Sequence, residues 1–75
     1  MKEIDATGLA CPAPVLLTRN TIEEESPDEI QVVVDNHASA ENVSRFLTSS
    51  NYAVSRKREG DNFLVLGKLD RKSVV

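Results

Sequence analysis

The strongest constraint on the fold is a short apolar run near the middle of the chain. Residues 30–35 are rich in β-branched side chains, which favour β-strands. Consecutive strand residues point to opposite faces of a sheet, and Val32, Val33 and Val34 follow one another. The run is therefore apolar on both faces, as is typical of a strand at the centre of a sheet.

The rest of the chain supplies three further strands and two helices, in the order βαβαββ. Strands are predicted over residues 2–6, 30–35, 52–58 and 63–67, with a hairpin turn over 59–62. The first helix is predicted from Pro12 to about Glu25. The second is predicted to run to about Ser50, with Asn36 as its N-cap. Cys11 is predicted at the N-cap of the first helix and Pro12 at its first helical position. Right-handed crossovers place both helices on one face of a four-stranded mixed sheet, which gives an α/β two-layer sandwich.

One stripe of each predicted helix is expected to face the sheet. These stripes consist of Val15, Thr18 and Ile22 in the first helix, and of Ala40, Val43, Phe46, Leu47 and Ser50 in the second. The opposite face of the sheet is expected to be largely solvated. Residues 1–67 are predicted to form one domain, and residues 68–75 a C-terminal tail or linker.

Charge and hydropathy narrow the classes of function. The chain has 75 residues and a formal net charge of −3, whereas a general nucleic-acid-binding domain is usually strongly basic. No direct nucleic-acid binding is therefore expected. There is no apolar run long enough for a membrane helix, and the first residues lack the apolar core of a signal peptide. These features, together with a single cysteine that cannot form an internal disulfide, predict a cytoplasmic protein without membrane association.

That single cysteine, Cys11, lies in the run Asp5-Ala6-Thr7-Gly8-Leu9-Ala10-Cys11-Pro12-Ala13-Pro14. The start of a helix carries unpaired N–H groups and a partial positive charge, both of which favour a thiolate. Pro12 and Pro14 remove two of these donors and stiffen the first turn, which leaves the N–H groups of Ala13 and Val15. We therefore expect an exposed thiol with a modestly lowered pKa.

One thiol has a limited chemical repertoire. It cannot run a dithiol redox cycle alone, and Cys11 with His37 falls short of the three or four ligands that zinc needs, so no metal site and no cofactor are predicted. A Cys–His dyad is conceivable if the first two strands are parallel neighbours, but no orienting third group is evident. What a single exposed thiol does well is to accept a sulfur atom as a persulfide and pass it on.

These residues resemble the TusA/SirA/YedF family of small sulfur carriers over residues 2–67. The resemblance is carried by the pattern Asp5-x-x-Gly8-Leu9-x-Cys11-Pro12-x-Pro14, together with Arg19, the pair Pro27-x-Glu29 and Asp35. Residues 34–46 look most like the N-terminal domain of YedF-type proteins, which are linked to selenium metabolism. Asp28 departs from the pattern, since the family commonly has glycine there.

The resemblance implies a sulfurtransferase-type persulfide carrier rather than a stand-alone turnover enzyme. Its partners would be a cysteine desulfurase-type donor and a downstream acceptor protein, in tRNA thiolation or in selenium or sulfur metabolism. Cys11 would be the acceptor thiol, presented by Gly8, Leu9, Pro12 and Pro14, and Asp5 would tie the loop together by accepting N–H bonds.

Two surface features invite hypotheses about partners. Leu16 and Leu17 flank the buried stripe of the first helix, so at least one should be exposed near Cys11 and could dock a partner together with Leu9 and Arg19. The basic residues Arg56, Lys57, Arg58, Lys68, Arg71 and Lys72 could steer an acidic partner, or could simply keep an edge strand from pairing.

A competing interpretation is a non-catalytic regulatory or protein-interaction module in which Cys11 only caps the first helix. The rate of thiol labelling on the native protein separates the two, because a capped and buried thiol reacts slowly.

Overall fold

The structure, a computed structural model, describes residues 2–10 and 12–69. Its elements are β1 (Lys2–Asp5), α1 (Ala13–Glu25), β2 (Glu29–Val34), α2 (His37–Ser49), β3 (Tyr52–Glu59) and β4 (Asn62–Leu69). The strands form one sheet in the order β1-β2-β4-β3, in which β1 and β2 are parallel and the other neighbours antiparallel. The predicted βαβαββ order and mixed sheet are confirmed, and β2 lies inside the sheet as its apolar run predicts.

The core lies between one face of the sheet and the two helices. Ile30, Val32 and Val34 of β2 are fully buried, and they pack in one cluster with Ala40, Val43 and Leu47 of α2. Thr18 of α1 is also buried, whereas Val15, Ile22 and Phe46 are only half-buried. The predicted stripes therefore face inwards, but their outer members reach the protein surface.

The helix boundaries follow from local chemistry. Asn36 caps α2 as predicted, because its side-chain oxygen accepts a hydrogen bond from the Ser39 N–H at 2.8 Å. Helix α1 ends at Glu25, and Ser26 adopts a left-handed conformation (φ 45°) immediately before Pro27.

The predicted start of α1 is wrong by one residue. Pro12 has φ −98° and ψ 17° and occupies the N-cap position, so α1 begins at Ala13. Pro14 then lies in the first helical turn, where it is buried.

Strand β4 is three residues longer than predicted, because it begins one residue earlier and ends two residues later than the predicted range 63–67. Lys68 pairs with Glu29 of β2, and Leu69 pairs with Tyr52 of β3. The far end of the predicted C-terminal tail, residues 70–75, lies outside the described residues.

Gly67 is the point of closest packing in β4. A Cβ at this position would lie 3.1 Å from Ile30 Cγ2, 3.2 Å from Leu47 Cδ1 and 3.3 Å from Tyr52 Cδ2. Glycine here allows α2 to approach the sheet closely.

Candidate functional site

Cys11 lies outside the described residues, so its surroundings are known through the chain on either side. On the N-terminal side, the Ala6 N–H donates to the Val33 carbonyl at 2.8 Å, and the Ala6 side chain is fully buried. The segment Thr7–Ala10, called the thiol loop below, then rises to the surface, where Gly8 and Ala10 are exposed. Pro12, the residue after Cys11, is exposed as well.

Asp5 fixes the beginning of the thiol loop. Its Oδ1 atom accepts hydrogen bonds from the Thr7 hydroxyl at 2.6 Å and from the Thr7 N–H at 3.0 Å. These two bonds, the hydroxyl first, lower the pKa of Asp5 below its ordinary value. The carboxylate therefore acts as a structural hydrogen-bond acceptor in the turn that leads towards Cys11.

Asp35 fixes the same loop from the neighbouring strand. It follows the end of β2, and its Oδ2 atom accepts a hydrogen bond from the Gly8 N–H at 2.7 Å. Its Oδ1 atom accepts a second bond from the Asn36 side chain at 3.0 Å. The Gly8 bond, followed by the Asn36 bond, lowers the pKa of Asp35. The motif contained Asp35, but its bond to Gly8 depends on the parallel pairing of β1 with β2 and was not predicted.

Gly8 has a backbone conformation that other residues rarely adopt. Its φ is +78°, and a Cβ at this position would have no neighbour within 4 Å. Glycine is thus required for its left-handed conformation and not for lack of space. This turn directs the Gly8 N–H towards Asp35.

The backbone groups of the residues after Cys11 form hydrogen bonds to the thiol loop and within α1. The Ala13 N–H donates to the Ala10 carbonyl at 2.9 Å, so it is not the free donor that the sequence suggested. The Pro14 carbonyl accepts a bond from the buried Thr18 hydroxyl at 2.9 Å. The first turn of α1 is therefore anchored both to the thiol loop and to its own interior.

The apolar residues predicted to surround the thiol divide into two groups. Leu16 and Leu17 are 48% and 38% exposed, so both lie on the surface of α1. Leu9, in contrast, is half-buried against the core. Arg19 is exposed and pairs with Glu23 at 3.2 Å.

A surface groove between α1 and α2 begins at Pro12 and was not predicted. Its volume is about 460 Å³, and it is lined by Pro12, Val15, Asn42, Arg45, Phe46 and Ser49. Val15 and Phe46 are both half-buried members of the predicted stripes. The sequence could have indicated a groove through these two residues, because they lie at the margins of the predicted stripes.

His37 packs against strand β4. Its ring meets the ring of Phe63 on β4 edge-on, with centroids 5.9 Å apart and an interplanar angle of 81°. Within residues 2–10 and 12–69, no group of three or more His, Cys, Asp or Glu side chains is arranged to hold a metal ion. Within the same residues, neither helix is long and apolar enough to cross a membrane.

Comparison with known proteins agrees with this geometry. The family described as Sulfurtransferase TusA matches residues 2–68. A "Putative sulfur carrier protein" of Methanocaldococcus jannaschii is 38% identical over 63 residues, which cover 83% of this chain and 84% of the relative. The crystal structure of a SirA-like protein from Desulfitobacterium hafniense superposes with a TM-score of 0.80 at 25% identity, covering 91% of this chain and 96% of the other. The chain belongs to the TusA family of sulfur carriers.

Proposed function

We propose that Cys11 accepts a sulfur atom from the persulfide of a cysteine desulfurase-type donor and passes it to an acceptor protein. The observation that carries this proposal is the attachment of the thiol loop. Asp5 and Asp35 hold a partly exposed segment from two adjacent strands, immediately before the only cysteine of a TusA-family chain. A carrier needs a thiol that is held in a fixed place and yet open to two different partners.

The transfer is balanced without an added oxidant or reductant. The Cys11 thiolate attacks the outer sulfur of the donor persulfide, the donor S–S bond breaks, and the donor cysteine leaves as a thiolate. Cys11 then carries the persulfide. In the second step, a nucleophile of the acceptor attacks the outer sulfur in the same way, and Cys11 leaves as a thiolate.

The flanks of the thiol supply a docking surface for such partners. Leu16 and Leu17 are large, apolar and exposed on the first turns of α1, and Arg19 extends the same helix. The groove at Pro12 lies between this helix and α2. We infer that a donor or acceptor contacts the exposed leucines when it approaches Cys11.

Intact mass spectrometry tests the carrier function directly. The protein is incubated with a cysteine desulfurase and cysteine, beside a Cys11→Ser variant. We expect a gain of about 32 Da per sulfur atom, which is removed by reductant and absent from the variant. An unmodified protein whose thiol also resists alkylation would contradict the carrier proposal and support the interaction module.

The same assay addresses cargo and pathway. The likeness of residues 34–46 to YedF-type proteins leads us to propose that selenium is a second cargo. Selenocysteine in place of cysteine should then add the mass of a selenium atom to Cys11. A protein that takes up sulfur but never selenium would restrict the proposal to sulfur metabolism, tRNA thiolation included.

A further inference from the structure

A cationic surface lies on the β3–β4 hairpin and is not used in the site described above. It consists of Arg56, Lys57 and Arg58 on β3, Phe63 on β4 and His37 at the start of α2, which together line a hollow of about 210 Å³. Arg56 and Arg58 are exposed. Arg56 pairs with Val65 and Arg58 pairs with Phe63 in the antiparallel pairing of β3 with β4. Their side chains therefore lie on the face of the sheet that carries the two helices, beyond the part that the helices cover.

Among the residues that the structure describes, no carboxylate forms a salt bridge with the cations of this surface. The two ion pairs found within residues 2–10 and 12–69 are Lys2–Glu25 and Arg19–Glu23, and both involve α1. Arg58 instead donates from Nε to the Gly60 carbonyl at 3.3 Å. Among the described residues, Arg56 and Arg58 thus remain available side by side on one face of β3, whereas the side chain of Lys57 between them points to the opposite face.

The surface is also ordered by an aromatic ring. The Arg58 guanidinium lies 5.7 Å from the centroid of Phe63, while His37 meets the same ring edge-on. Charges that only prevent edge strands from pairing need no such support. An arginine held on an aromatic ring loses less side-chain freedom when it binds a carboxylate, which its planar fork matches well.

The pairing of the strands places this surface on the same edge of the sheet as the thiol loop. Asp5 ends β1, Val34 ends β2 opposite Phe63, and Glu59 ends β3 opposite Asn62. Three strand spacings separate β1 from β3, or about 14 Å. That separation exceeds the screening length of about 8 Å at physiological salt, so the charges on β3 act on an approaching partner and little on the end of β1.

We propose that this cationic surface docks an acidic segment, rich in Asp or Glu, of the protein that exchanges sulfur with Cys11. The identity of that protein rests on the proposed function, whereas the chemistry of the segment rests on the surface alone. Charge complementarity of this kind steers association and sets orientation more than it adds affinity. A partner held at the cationic surface would present its own sulfur to the thiol loop, which lies further along the same edge of the sheet.

The test is an NMR titration of the amide signals with a hexaglutamate peptide, with a hexauridylate RNA as the competing ligand. The peptide should shift signals at His37, residues 56–58 and Phe63, and this effect should fade as salt is raised. The double variant Arg56→Gln/Arg58→Gln, which removes both cations of one face of β3, should bind the peptide about fivefold more weakly. The control Lys2→Gln/Lys68→Gln removes the same number of positive charges at the opposite end of the strands and should retain binding.

Three results would overturn the inference: no shifts at this surface, an equal loss of binding in the control, or tighter binding of the RNA than of the peptide. The last would make the surface a nucleic-acid site instead. None of these results depends on persulfide loading of Cys11, which is measured separately by mass. The docking surface and the carrier function can therefore fail independently.

Discussion

Replacement of Gly8 by Ala isolates the part that the thiol loop plays in presenting Cys11. A Cβ at Gly8 meets nothing within 4 Å, so the cost of the substitution comes only from the backbone at φ +78°. A non-glycine residue in this conformation costs about 1–2 kcal/mol, and the reduced freedom of the unfolded chain returns about 0.4–1 kcal/mol. The expected net loss is about 1 kcal/mol, or a fall in melting temperature of about 4–8 °C for a domain of this size.

Gly60 provides a matched control on the β3–β4 hairpin. Its φ is +62°, and a Cβ there would also have no neighbour within 4 Å. Gly60→Ala should therefore cost about as much stability as Gly8→Ala. The two variants should differ in the rate at which a small neutral reagent alkylates Cys11, because only Gly8 donates to Asp35 and shapes the loop.

Thermal unfolding followed by circular dichroism, together with alkylation followed by mass, checks both expectations. We expect comparable losses of stability in the two variants and an altered alkylation rate in Gly8→Ala alone. If Gly60→Ala changed the alkylation rate as much, the effect would come from general loosening, and the reasoning about the loop would be refuted.

Three further predictions follow from the packing and the surface. Gly67→Ala should destabilise the fold by about 1–3 kcal/mol in urea unfolding, because its new methyl group overpacks the core; a gain in stability would contradict this. Leu16→Asp should slow sulfur loading from a desulfurase without a change in melting temperature, because Leu16 is exposed. The control Ala53→Asp, on the exposed part of β3, should change neither the loading rate nor the melting temperature. Equal loading rates in both variants would show that Leu16 is not part of the docking surface. The Gly8 amide NMR signal should titrate with a midpoint below 3.8, the ordinary pKa of a carboxyl such as that of Asp35, since the bond from Gly8 stabilises the ionised form. The hydrogen bond is intact at higher pH and is lost as the pH falls through the lowered pKa of Asp35. A midpoint at or above 3.8 would refute this prediction.

The architecture could be predicted because its signals are local. The run at Val32–Val34 indicates an inner strand, and Asn36 stops that strand and starts α2 with a side-chain cap. The start of α1 could not be predicted to the residue. Proline is acceptable both at the N-cap and at the first helical position, and the choice depends on how the chain arrives from the thiol loop.

The site was predictable only in part, because its decisive contacts are not local. The motif contains Asp5 and Gly8, and the bond of Asp5 to Thr7 spans only two residues. The bond between Asp35 and Gly8 spans 27 residues and exists only because β1 and β2 are parallel neighbours. Leu9 shows the converse difficulty, since an apolar loop residue can dock a partner or pack against the core, and the sequence does not indicate that part of this side chain packs against the core.

The way in which the thiol loop is held argues for a carrier of reactive sulfur. A loop can be fixed by burial, but buried residues cannot be reached by two partner proteins in turn. Here the bonds from Asp5 and Asp35 run between exposed carboxylates and the backbone N–H groups of Thr7 and Gly8, and within the loop only Leu9 packs against the core. Such bonds position a segment without covering it. The loop beside Cys11 can therefore be ordered and accessible at once, which is what an exchange reaction at an exposed sulfur requires.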